Sequence, residues 1–138
     1  MRHVVFRLEK ALYALPLASV REVFPAPGHY TRVPKAPPSV RGVLNLRGRV
    51  VPVVDLASLL ALSPGETRPA KVVLLDFSRR ELGLLVTEVE GIENLDKLSA
   101  PPARSRAVKG VARLGARPVT VLDPDGTDAA VAAAFTRG

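Results

Sequence analysis

The sequence predicts an all-β fold, a barrel or a sandwich. Three features carry this. Some nine or ten short apolar runs recur along the 138 residues, each closed by Gly, Pro or a polar cluster, as strands and turns require. No long amphipathic helix interrupts them. That strand count is high for one small barrel, so two small barrels sharing a core is a natural solution. The length suits one domain, residues 1–138 with two barrel subdomains, rather than two independent domains.

The elements follow in order. His3 to Leu8 and Leu12 to Leu17 read as strands, and Val20 to Phe24 as a third. Tyr30 to Val33 alternates and reads as a short extended piece, followed by the rigid Pro34-Lys35-Ala36-Pro37-Pro38 connector. Val40 to Leu46 and Arg49 to Asp55 form two strands about a tight turn at Gly48. Pro52 lacks an N–H, so its strand is expected at an edge or locally broken. Asp55 is a suitable N-cap for a short helix over Leu56 to Leu62, stopped by Ser63-Pro64-Gly65. Lys71 to Phe77 and Leu82 to Val86 form a hairpin around Ser78-Arg79-Arg80-Glu81, and a more polar strand runs from Glu88 to Leu95. After a Pro-containing loop, Ala100 to Arg106, the strands Val108 to Leu114 and Pro118 to Leu122 pair around Gly115-Ala116. Residues 124–138 make a short tail expected to fray, with Ala129 to Phe135 suited to a small helix. No exact internal repeat is visible.

Composition narrows the chemistry. Apolar residues make up 47% of the chain and only four Phe and two Tyr are present, so the core is built mainly of Val, Leu and Ala. The absence of cysteine removes disulfides and thiolate metal sites and fits a reducing compartment. The first residues lack the apolar stretch of a signal peptide, and no run reaches the length of a membrane span, so a cytoplasmic protein is expected. His3 and His29 lie in different segments, and no triad, metal-ligand spacing or phosphate loop surrounds them. Asp123-Pro124-Asp125-Gly126 lacks the further ligands of a calcium loop and reads as a turn. No catalytic residue, cofactor or metal is expected.

The net charge of +7 lies mostly in residues 1–69 and suits an acidic protein, an anionic surface or nucleic acid. Nucleic acid is an alternative because of Arg32, Lys35, Arg41, Arg47 and Arg49. Tyr30 is the only nearby aromatic, whereas such barrels usually offer several for stacking.

The most specific stretch runs from Val33 to Leu56. It contains Val33-Pro34, Ala36-Pro37, Gly42-Val43-Leu44-Asn45-Leu46-Arg47-Gly48 and Val51-Pro52-Val53-Val54-Asp55-Leu56. Tyr13 to Leu17 with Val20-Arg21-Glu22-Val23, Gly83 to Val89, Lys109 to Ala112 and Val121-Leu122-Asp123 extend the pattern across about residues 3–125. This ordered set closely resembles the CheW-like family of chemotaxis coupling proteins.

The resemblance implies two intertwined five-stranded SH3-like barrels sharing a core, with one or two short helices. It also implies a non-enzymatic adaptor in the cytoplasm at receptor arrays. Its partners would be the cytoplasmic tip of a methyl-accepting chemoreceptor and the regulatory domain of a CheA-type histidine kinase, with membrane association only through receptors and no nucleic acid. In the family the arginine of Asn-Leu-Arg-Gly lies near an acidic strand residue, so Arg47 and Glu22 are expected to form the receptor-facing site. Val20, Leu44, Val50 and Gly42 are expected around it, and Gly83, Leu84 and Val86 on the kinase-facing strand. Three departures, the arginine-free Ala57-Ser58-Leu59-Leu60-Ala61 after Asp55-Leu56, the short Ala-rich carboxyl end and the basic loop ending at Arg106, point to a second reading. In it, the chain is a receptor-only paralogue.

Overall fold

Strands β1 (Arg2–Leu8), β2 (Ala11–Pro16), β8 (Glu88–Asn94), β9 (Val108–Leu114) and β10 (Arg117–Leu122) form one sheet in the order β8-β1-β2-β10-β9. Strands β3 (Val20–Pro25), β4 (Val40–Leu46), β5 (Arg49–Asp55), β6 (Lys71–Phe77) and β7 (Arg80–Val86) form the other, in the order β3-β6-β7-β5-β4. Two helices, α1 (Leu56–Leu59) and α2 (Pro124–Arg137), each follow the last strand of a hairpin. These elements come from a computed structural model that describes residues 1–63, 65–77 and 80–137. Pro64 in the expected helix stop, and Ser78 and Arg79 in the expected hairpin turn, lie outside the described residues.

The continuous apolar runs of the sequence are explained by burial on both faces of each strand. Phe6, Leu8, Tyr13, Leu15, Val54, Val73, Leu82, Leu84, Val86 and Leu122 meet in one cluster between the sheets. The alternate residues Val5, Leu12, Ala14, Val119 and Val121 fill the inside of the first sheet. Val53, Val72 and Leu85 fill the inside of the second. This is the shared core expected of two small barrels.

Each sheet is rolled. In a flat five-stranded sheet the outer strands lie about 19 Å apart, at roughly 4.8 Å per step. Yet Glu22 on β3 forms an ion pair with Arg47 at the β4–β5 turn, although β3 and β4 are opposite edges. The chain also stitches each edge: Thr31 bonds Val43 of β4 and Ser99 bonds Val111 of β9.

The two sheets repeat one another approximately, which the sequence did not reveal as an exact repeat. Val40-Arg41-Gly42-Val43 corresponds to Val108-Lys109-Gly110-Val111, and both β4–β5 and β9–β10 carry a register shift beside that glycine. β5 runs parallel to β7 as β10 runs parallel to β2. Arg21 and Glu90 sit at matching register shifts in β3 and β8. Their ion pairs correspond with reversed charge: Arg21 to Asp76 at 2.6 Å, Glu90 to Arg7 at 3.4 Å. The repeats exchange strands, since β1 and β2 join the sheet made by β8 to β10, and β6 and β7 join the sheet made by β3 to β5.

Several expectations are corrected. Tyr30 to Val33 is no strand; only Thr31 makes a bridge. β5 is an internal strand and is not broken at Pro52. Its ladder with β7 covers only Val53 to Asp55, so Pro52 sits where β7 needs no donor from it. The expected helix over Leu56 to Leu62 ends at Leu59. The tail is helix α2 from Pro124, anchored by buried Thr127 and Val131.

Candidate docking surfaces

The β4–β5 hairpin positions the arginine expected at the receptor site. Leu46 pairs with Arg49, leaving Arg47-Gly48 as a two-residue turn with φ of +53° and +84°. Two successive left-handed residues mark the type I′ turn that suits the twist of a hairpin. Asn45 Oδ1 accepts the Gly48 N–H at 2.9 Å and fixes the tip. The Arg47 side chain is 59% exposed, and its guanidinium donates to Glu22 Oε1, whose side chain is 32% exposed. Beside the same hairpin, Arg49 forks onto both oxygens of Glu81.

The neighbouring expected residues divide by burial. Val50 stands 70% exposed on the strand after the turn. Leu44 and Val20 are half-buried, Leu44 against the interior cluster of its sheet and Val20 against the shared core. Gly42 is buried and structural: a Cβ there would lie 2.4 Å from the Thr31 carbonyl oxygen, and its φ is +148°. Arg47, Glu22 and Val50 therefore make the accessible rim, while Leu44 and Val20 pack inward.

The residues expected on the kinase-facing strand lie inside the fold. Gly83, Leu84 and Val86 are wholly buried on β7, an internal strand. Leu84 and Val86 point into the shared core, and Gly83 lies under Val72 and Val53. They also belong to the same sheet as Arg47 rather than to the other barrel. A strand covered on both faces and both edges keeps these residues off the surface of the chain.

The basic stretch is largely neutralised by its own carboxylates. Arg41 lies 3.8 Å from Asp55, Arg47 pairs with Glu22, and Arg49 with Glu81. Of its residues, Arg32 and Lys35 have no carboxylate partner among the described residues. His29 is exposed, whereas His3 is buried and its Nδ1 lies 3.0 Å from the Met1 carbonyl oxygen. No cluster suited to a metal ion is formed among the described residues. No described helix is long and apolar enough to cross a membrane.

Sequence reasoning missed one surface. A groove of about 750 Å³ opens between the α1 end, the loop from Pro101 to Ala107, β10 and α2. Its residues are scattered along the chain, and the only local signal was the proline-rich basic loop.

The approximate repeat separates fold from function at the rim. Arg47 corresponds to Gly115, with φ +63°, and Glu22 to Gly91. The second sheet thus holds the same architecture with glycine at both positions, so the ion pair is not a requirement of this topology.

Comparison with known proteins agrees with this architecture. The model of the CheW-like domain matches residues 2–129. The chemotaxis protein CheW of Thermotoga maritima is 36% identical over 100 residues, covering 69% of this chain and 66% of that protein. A probable chemotaxis protein CheW of Rhizobium etli is 36% identical over 93 residues, covering 64% of this chain and 57% of that protein. The chain thus spans somewhat less than two thirds of these relatives. The crystal structure of the scaffolding protein TtCheW from Thermoanaerobacter tengcongensis superposes with a TM-score of 0.79 at 25% identity, covering 88% of each chain. With the family pattern matched along nearly its whole length and the two five-stranded sheets in place, this chain belongs to the CheW-like family.

Proposed function

We propose that this protein is a chemotaxis-type coupling scaffold in the cytoplasm. It binds the cytoplasmic tip of a methyl-accepting chemoreceptor through the Arg47, Glu22 and Val50 rim, and the regulatory domain of a CheA-type histidine kinase through a surface outside β7. The carrying observation is the exposed Arg47–Glu22 pair, which stands in one sheet and is glycine at both matching positions in the other. A structural ion pair at such exposure contributes only about 0.2–1 kcal/mol. An arginine at an exposed turn, with Val50 beside it, is suited to anchoring a helical partner. Holding two partners at once raises their effective concentration and needs no bond chemistry.

The test is receptor co-sedimentation with Arg47→Glu and with the charge swap Arg47→Glu/Glu22→Arg, alongside thermal melting. The expected result is lost binding in both, with folding kept. Unchanged binding by folded Arg47→Glu refutes the site. Titration of the isolated kinase regulatory domain separates the full coupler from the receptor-only paralogue, which the departures after Leu56 and in the basic loop favour.

A further inference from the structure

We infer that the groove between α1, α2 and the Pro101 to Ala107 loop is a docking site for an amphipathic α-helix of another protein, with acidic residues beside its apolar stripe. This does not depend on the receptor-facing rim. The groove has a volume of about 750 Å³, and its floor is Tyr13 and Thr120, paired across β2 and β10. Leu60, Val108 and Ala130 stand in its walls.

The other sheet shows what fits such a face. Tyr13 and Thr120 correspond to Leu82 and Pro52 in the β7–β5 ladder. There the chain's own helix α2 covers the face: Val131 joins the core cluster of Leu82, Phe135 stands over the same hollow, and Asp128 accepts from Arg80 at 2.7 Å. The matching helix, α1, ends after one turn at Leu59, and Ala61 beyond it, with φ of +58°, sends the chain away. The face that a longer α1 would cover is left open.

Charge selects the occupant. Among the described residues, no carboxylate lines the groove, and Arg106 is its one charged lining residue. Arg104 and Lys109 flank it in the adjoining hollow, all three exposed and without an ion-pair partner among the described residues. A helix with carboxylates on its flanks complements this mouth as Asp128 complements Arg80. An added strand is disfavoured, because Ser99 already occupies the β9 edge at Val111 with bonds of 2.8 and 2.9 Å. A bilayer surface would meet the cations and leave the hollow unfilled.

The test is fluorescence anisotropy of the full chain with a labelled peptide of about five helical turns. The peptide carries leucine along one stripe and glutamate on both flanks; a second peptide carries lysine in place of glutamate. Saturable binding of the glutamate peptide is expected. Arg104→Glu/Arg106→Glu and the groove-filling Ala130→Phe should each weaken it by about tenfold or more, with melting curves kept. The charge-reversal pair lies on an exposed loop and decides the matter if Ala130→Phe does not fold. Absent saturable binding, equal binding of the lysine peptide, or no loss in the charge-reversal variant overturns the proposal. Binding to phosphatidylglycerol vesicles without peptide binding assigns the groove to a membrane surface. Self-association abolished by Ala130→Phe assigns it to a second copy; either outcome overturns the proposal.

Discussion

Arg47 occupies a backbone conformation that an arginine adopts at a cost. A left-handed L-residue is disfavoured by roughly 1–2 kcal/mol, and asparagine or glycine relieves it. The matching turn of the other sheet holds Gly115 at φ +63°, so the turn itself does not call for a guanidinium. Replacing Arg47 by Asn should give up an exposed ion pair of about 0.2–1 kcal/mol and recover a comparable amount of strain. The melting temperature should therefore stay within about 4 °C of the parent while receptor co-sedimentation is lost. A large fall in melting temperature would make the arginine structural. His3 gives a second residue-scale prediction. Burial holds its imidazole below the ordinary 6.5, and the hydrogen bond with the Met1 carbonyl does not offset this. Below pH 6.5 the unfolded chain takes up a proton that the folded chain resists, so His3's contribution is fully present above 6.5 and falls as the pH drops beneath it. Urea unfolding at about pH 7.5 and 5.5 should show a loss that His3→Gln reduces and exposed His29→Gln does not. The Arg47–Glu22 pairing was legible only through the family resemblance, since nothing local joins β3 to the β4–β5 turn. Gly83, Leu84 and Val86 read in sequence as a buried strand about as well as a docking strand, because an apolar run looks the same whether one face or both are covered.

Helix α1 is stopped by its backbone rather than by a glycine. The Leu62 N–H bonds the Ala57 carbonyl at 2.9 Å and the Ala61 N–H bonds that of Ser58 at 3.0 Å, with Ala61 left-handed between them. This is the Schellman closure, which usually places glycine at that position. Ala61→Gly should therefore stabilise the protein by about 0.5–1 kcal/mol, measured by denaturant titration. No gain would mean that the stop is held by packing instead. The strands test the repeat. Gly42 and Gly110 each lie under a crossing segment, with a Cβ falling 2.4 Å from the Thr31 oxygen or 2.8 Å from the Ser99 oxygen. Only Gly42 also has a positive φ. Gly42→Ala should cost roughly 2 kcal/mol or more, and Gly110→Ala distinctly less. Equal losses would show that steric overlap alone decides. Most strands were legible as elements because Gly and Pro punctuate them. Tyr30 to Val33 was misread because alternation alone does not supply a partner strand, and here only Thr31 finds one. The length of α1 was misread because Leu60 and Leu62 suit a helix by composition, while the stop at Ala61 carries no glycine to mark it.

At the scale of the molecule, neither half of the sequence contains a complete sheet. The first half supplies β1 and β2 to the sheet completed by β8, β9 and β10, and receives β6 and β7 for its own β3, β4 and β5. The shared cluster joins Phe6 and Leu15 from one sheet to Leu75 and Leu84 from the other, all with no measurable exposure. Separate melting of the two sheets would expose that cluster, so a single cooperative transition is expected. The repeat behind this exchange escaped sequence reading because matching positions conserve geometry more than identity: Arg21–Asp76 answers Glu90–Arg7, and Arg47 answers Gly115. The exchange makes a sharp prediction for a chain divided between Gly65 and Glu66, in the exposed segment between α1 and β6. The piece 1–65 would hold β1 to β5 without β6 and β7, leaving the β1–β2 hairpin apart from β3, β4 and β5. The piece 66–138 would leave the β6–β7 hairpin equally detached from β8, β9 and β10. An isolated hairpin is marginal in water, so each piece alone should lack a cooperative melt. Mixed at equal concentration, the two should recover the circular-dichroism spectrum and a single transition, because every interface of the shared core forms between them. A cooperative fold in either piece alone would mean that one half builds its own core and that the exchanged strands are not what joins the sheets.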